Sequence, residues 1–183
     1  MTARLLRVLS LFAFVALVGC TTRVTSTLTP PTTAPKGPPP KVELAEVTIA
    51  GLEAAIKENS GKVVLVDVWF LGCGPCVKKF PSFVELHKKY ADQGLVCMSL
   101  DVLPDEIPEK DKVLAFLTKQ GASFPNFIVK DTDSNLVAWQ ARHDAEWTPS
   151  IVLFGRNGEW IKTPKNVTAE ELETIVKEVL NGK

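Results

Sequence analysis

Histidine is close to absent from these 183 residues: His87 and His143 stand alone. Cysteine is scarce too, four in all, and no second cysteine or histidine pair accompanies Cys73 and Cys76. A structural zinc needs such a second pair, so zinc finds too few ligands here. Neither sign of charge is in surplus, with 21 Lys and Arg against 21 Asp and Glu. Nucleic-acid binders carry a basic excess, so no nucleic-acid partner is expected. Internal repeats are missing. The apolar run from Val8 to Val18, broken only by Ser10, is too short for a comfortable membrane span.

What is present suits a globular core with attachments: 45% of residues are apolar, enough for one domain. The run at Val8 to Val18 follows Arg4 and Arg7 and has the length of a signal-peptide core. It ends in Leu17-Val18-Gly19-Cys20, which resembles the bacterial lipobox. That resemblance implies cleavage before Cys20 and diacylglycerol on its sulfur, each buried methylene contributing about 0.8 kcal/mol of membrane affinity. The alternative is a plain secretory signal with an incidental cysteine. Either way, export is expected. Loss of residues 1–19 removes two basic residues and leaves a slightly acidic chain. Residues 20–41 are rich in Thr and Pro and poor in large apolar side chains, so they cannot offset the entropy of ordering. They read as a tether with a reach of roughly 60 Å if extended. Residues 42–183 are the expected domain.

Within that domain an apolar run, Val63 to Val66, leads through Asp67-Val68-Trp69-Phe70-Leu71-Gly72 to Cys73-Gly74-Pro75-Cys76 and a helical pattern, Val77 to Tyr90. A strand thus delivers two cysteines to a helix N-terminus. The unpaired N–H groups and positive dipole end there favour an anion, so the first thiol is biased toward thiolate. Pro75 suits the first turn, where a missing N–H costs little. Cysteines at this spacing close a disulfide or share a metal, and the missing ligands favour redox chemistry.

Asp67, Trp69 and Cys73-Gly74-Pro75-Cys76 resemble the active-site strand and helix of thioredoxin-fold oxidoreductases. With Thr148-Pro149 added, the pattern resembles the membrane-anchored, extracytoplasmic branch of the TlpA and ResA type, over roughly Val42 to Lys183. The resemblance implies an α/β thioredoxin-like fold, a central mixed sheet flanked by helices with an inserted helix and strand. It implies that Cys73 attacks and Cys76 resolves. Gly74, Pro75, Thr148 and Pro149 would meet the substrate chain, the Thr148–Pro149 bond being cis. A trans turn proline is the alternative, and Phe124-Pro125 is a competing dipeptide. Protein thiols and disulfides would be the substrates and an external electron donor, such as a membrane thiol-transfer protein, the partner. No cofactor is called for. Asp67, if buried, would have its carboxyl pushed up and accept the proton of Cys76; at a solvated strand end it would be an ordinary carboxylate. Trp69 is counted with the substrate-contacting residues, as a lid beside the disulfide, or else is a packing residue. Cys97, in an apolar strand pattern, reads as a buried, inert thiol, with a resolving role as the minor alternative.

Two departures stand out. Gly72 occupies a position where many relatives carry Trp, implying a more open rim. Lys79 stands where reductases of cytochrome c maturation carry Glu, so that assignment does not carry over. Gly-Pro between the cysteines resembles reducing thioredoxins. Two other readings remain: thiol peroxidase, which usually wants Thr where Phe70 stands, and a binding module that uses the cleft without chemistry.

The remaining pattern predicts a strand at 47–50, a helix at 52–58 and strands at 63–70 and 95–102. A Pro- and acid-containing loop at 103–110 follows, then a helix at 112–120, a strand at 124–130 and a helix at 136–142. A strand at 150–154 turns through Gly155-Arg156-Asn157-Gly158 into an antiparallel partner at 160–161. Thr168 and Glu171 form the cap of a last helix with Leu172, Ile175, Val176, Val179 and Leu180 on its apolar face.

Overall fold

A computed structural model of the chain describes residues 41–130 and 134–182. The expected leader, Cys20 and the tether up to residue 40 lie outside the described residues. The strand β2, Val63–Trp69, organises the rest, because all of its residues are buried. A strand apolar on both faces belongs in mid-sheet with cover on each side. It lies between β3, Leu95–Asp101, which runs parallel to it, and β5, Ser150–Phe154, which runs antiparallel. Beyond β3 come β4, Asn126–Val129, and β1, Ala45–Val47, both parallel; β6, Trp160–Ile161, pairs antiparallel with β5. The sheet order is β1-β4-β3-β2-β5-β6.

Parallel neighbours need crossovers. Helix α2, Gly74–Tyr90, joins β2 to β3, and α3, Lys110–Gln120, joins β3 to β4. Strand alternation divides β2 between two cores. Leu65 and Trp69 face Phe80 and Phe83 of α2, Leu117 of α3, and Leu172 and Val176 of α5, Ala169–Leu180. Val64, Val66 and Val68 face Leu52 of α1, Ile49–Glu58, and Trp139 of α4, Ser134–Arg142. The result is the expected α/β thioredoxin-like fold, with α3 and β4 as the inserted helix and strand.

Several boundaries differ from the sequence reading by one or two residues, and three differences are instructive. The strand expected at 47–50 is Ala45–Val47, because the Thr48 hydroxyl accepts the Gly51 N–H at 3.1 Å and starts α1 at Ile49. The loop at 103–110 is wound into a 3-10 turn, Pro104–Glu109. Strand β4 begins only at Asn126, since Pro125 has no N–H for the ladder. The β5–β6 hairpin and the Thr168–Glu171 capping box form as read, Gly158 taking the left-handed turn position at φ 78°.

Candidate active site

The end of β2 feeds residues Phe70 to Gly72 into α2, with Cys73 as the helix N-cap. The Cys73 Sγ accepts the Cys76 N–H at 3.2 Å, the local interaction expected to favour negative charge on that sulfur. Cys73 and Cys76 are joined as a disulfide, their Cα atoms 5.2 Å apart. Cys73 is the more accessible of the pair, 6% exposed against 1% for Cys76. Gly74 and Pro75 are exposed between them. A Cβ on Gly72 would come within 3.3 Å of the Phe70 ring, so that ring fills part of the rim expected to be open.

Asp67 shares the α2 face of the sheet with Leu65 and Trp69 and is 5% exposed. Burial pushes its carboxyl up to about 7, against the opposing pull of the Lys79 charge. A water-exposed carboxylate is therefore not what stands there. Asp67, Lys79, Phe83, Trp147, Pro149 and Val167 are among the residues lining a cleft of about 320 Å³. Lys79 is exposed, and its ammonium donates to the Val167 carbonyl at 3.3 Å across this cleft. Thr148–Pro149 is cis, and Phe124–Pro125 is not. Both residues of the cis pair are half-buried, while Trp147 just before them is 79% exposed. The cysteines do not line this cleft; Cys76 lies one turn before Lys79 on α2, and Cys73 caps the helix start.

Trp69 has no exposed surface. Its ring packs on Phe80 at 5.0 Å and Phe116 at 5.2 Å, which corrects its place among the substrate-contacting residues: the core occupies every side of it. Cys97 is fully buried, its thiol pushed up by burial and by the nearby Asp67 charge. Among the described residues no cluster of His, Cys, Asp and Glu could hold a metal.

Two acids at the site escaped the sequence reading. Glu106, in the 3-10 turn, accepts the Leu71 N–H at 3.0 Å through Oε2 and the Gly72 N–H at 3.2 Å through Oε1. Asp101, at the end of β3, is fully buried and accepts the Leu103 N–H at 2.9 Å through Oδ1. Burial and hydrogen bonding with Glu106 push the Asp101 carboxyl up to about 8. The sequence offered only an acidic loop; a contact reaching back more than thirty residues leaves no local pattern.

Comparison with known proteins agrees with this geometry. Residues 34–180 match the Redoxin family. The chain is similar to the thiol-disulfide oxidoreductase ResA of Bacillus thuringiensis (strain Al Hakam), 32% identical over 72% of this chain and 71% of the relative. It is similar to ResA of Bacillus subtilis (strain 168) at 26% identity, over 72% of this chain and 66% of that protein's length. In architecture it resembles the crystal structure of a thioredoxin domain of a thiol-disulfide oxidoreductase from Bacteroides vulgatus. That likeness has a TM-score of 0.56 at 21% identity, over 68% of this chain and 84% of that one. A family match over most of the described domain, with the cysteine pair at the helix start and the cis-proline beside a buried acid, gives the assignment: the chain belongs to the Redoxin family, among thiol-disulfide oxidoreductases of the ResA type.

Proposed function

We propose that the protein is a membrane-anchored, extracytoplasmic oxidoreductase that reduces disulfides in protein substrates. The observation that carries this reading is the Cys73 sulfur at the α2 N-terminus, accepting the Cys76 N–H while bonded to the Cys76 sulfur. In the reduced pair, the Cys73 thiolate attacks a substrate sulfur, forming a mixed disulfide and expelling the second substrate sulfur as a thiolate. Cys76 gives its proton to the Asp67 carboxylate and attacks the Cys73 sulfur. The mixed disulfide breaks as the Cys73–Cys76 bond forms. The two substrate thiolates take one proton from Asp67 and one from solvent, and two electrons have passed to the substrate. An external donor, in this reading a membrane thiol-transfer protein, returns the pair to the dithiol. The exposed Gly74 and Pro75 and the backbone of Thr148-Pro149 are the surface on which the substrate chain rests.

The reductive direction is supported by the Gly-Pro spacer. Anchoring is supported by Leu17-Val18-Gly19-Cys20, and no helix among the described residues is long and apolar enough to cross a membrane. Catalytic reduction of a disulfide-bonded protein by the full chain, coupled to a chemical dithiol donor, tests the activity. Turnover lost in Cys73→Ser is expected; turnover surviving it would leave a binding module. Fractionation of Cys20→Ala tests the anchor: loss of mature, membrane-bound protein is expected, and unchanged retention would overturn it.

A further inference from the structure

The loop ahead of Cys73 is held by more than its own turn. The Cys73 N–H donates to the Phe70 carbonyl at 3.1 Å, which fixes one end. The next two N–H groups back, on Gly72 and Leu71, both point at the one Glu106 carboxylate. Glu106 is itself placed by the 3-10 turn, whose Glu106 N–H donates to the Leu103 carbonyl at 2.9 Å. The Leu103 N–H in turn donates to Asp101 Oδ1. Asp101 Oδ2 is buried and has no partner that donates to it. An orphaned carboxylate oxygen at full burial is costly, and two carboxyls in contact cannot both ionise cheaply. Both costs vanish if Asp101 carries a proton and donates it to Glu106, which is the more accessible of the two.

We propose that Glu106 is a positioning residue for the redox loop, and that Asp101, as its proton-bearing partner, holds it there. The charge on Glu106 stands one peptide from Cys73. It orders the loop through two charge-assisted bonds while opposing negative charge on the Cys73 sulfur. The helix start favours the thiolate and Glu106 disfavours it, so the pair is kept more reducing than the helix alone would make it.

The inference rests on the reading of Cys73 and Cys76 as a redox pair, and the test separates the two. The pair is equilibrated with glutathione in the full chain, and Cys73 alkylation is timed at neutral pH. Glu106→Gln is expected to shift the equilibrium roughly tenfold toward the dithiol, about 30 mV for a two-electron couple, and to speed alkylation. Asp101→Asn keeps a neutral donor toward Glu106 and should stay within roughly twofold of wild type in both readouts. Asp105→Asn, which removes an exposed charge from the same turn, should do likewise. A Glu106→Gln protein that matches wild type in both readouts, or an Asp101→Asn shift as large as that of Glu106→Gln, overturns the proposal. Should Glu106→Gln fail to fold, amide exchange in the wild type decides. Slow exchange at Leu71 and at the exposed Gly72 is expected, and free exchange at both overturns it. A wild-type pair that never reduces would instead sink the oxidoreductase reading.

Discussion

The Lys79 ammonium and the Asp67 carboxyl line the same cleft, and the lysine charge opposes the burial that pushes the acid up to about 7. Lys79 is exposed, so the opposition is screened by water and modest. Lys79→Glu should therefore move the pH midpoint of any Asp67-dependent step upward, by up to roughly a unit. The measurement is the pH dependence of mixed-disulfide release in the wild type and the variant. A midpoint that stays or falls would show that Lys79 does not act on Asp67.

The same acid makes a stability prediction with a definite sign. Asp67 rises from 3.8 to about 7 and Asp101 from 3.8 to about 8 on folding, so the folded state binds more protons than the unfolded chain between those values. The stability these two acids contribute is then fully present below about pH 4 and is lost as pH rises through about 7 and 8. Asp67→Asn removes one of these terms and should be more stable than wild type at pH 8, by on the order of a few kcal/mol, but not at pH 4. Urea denaturation at both pH values checks it. A wild type more stable than the variant at pH 8 would contradict the assignment.

Asp67→Asn should also separate the two halves of the reaction. Attack by Cys73 survives, because the helix terminus already favours its thiolate, while release through Cys76 slows by on the order of 10²–10⁴-fold. Rapid mixing with direct observation of the mixed disulfide distinguishes them. Release at the wild-type rate near neutral pH would make Asp67 a structural residue.

Trp69, wedged between Phe80 and Phe116, ties the inserted α3 to the active-site helix. Trp69→Ala should cost about 3–5 kcal/mol of stability. Trp69→Phe should cost less and leave kcat/KM within a few-fold, since the ring offers no surface to a substrate. A large rise in KM with stability unchanged would restore the lid reading.

The parts of the site legible in the sequence are those that neighbours in the chain create. Cys73, Cys76 and Pro75 mark a helix start by themselves, and Asp67 stands out because it interrupts an apolar strand. Thr48 shows where local reading fails by a turn: its hydroxyl ends β1 and begins α1, yet Val47-Thr48-Ile49, β-branched throughout, looks like a strand. Glu106 shows where it fails altogether. Its two N–H partners lie 35 and 34 residues away, and only the parallel register of β2 with β3, which sets Trp69 beside Asp101, brings that turn to the redox loop. The Lys79–Asp67 relation is hidden in the same way, because only the packing of α2 on the sheet brings the two residues to one cleft.

The most direct test of the account is a trapping experiment on the cysteine pair. Cys76→Ser, mixed with disulfide-bonded protein substrates, should accumulate mixed disulfides through Cys73, while Cys73→Ser should trap few, and Cys97 should form none in either. Adducts that form through Cys76 in Cys73→Ser, with none through Cys73 in Cys76→Ser, would contradict the assigned roles of the two sulfurs.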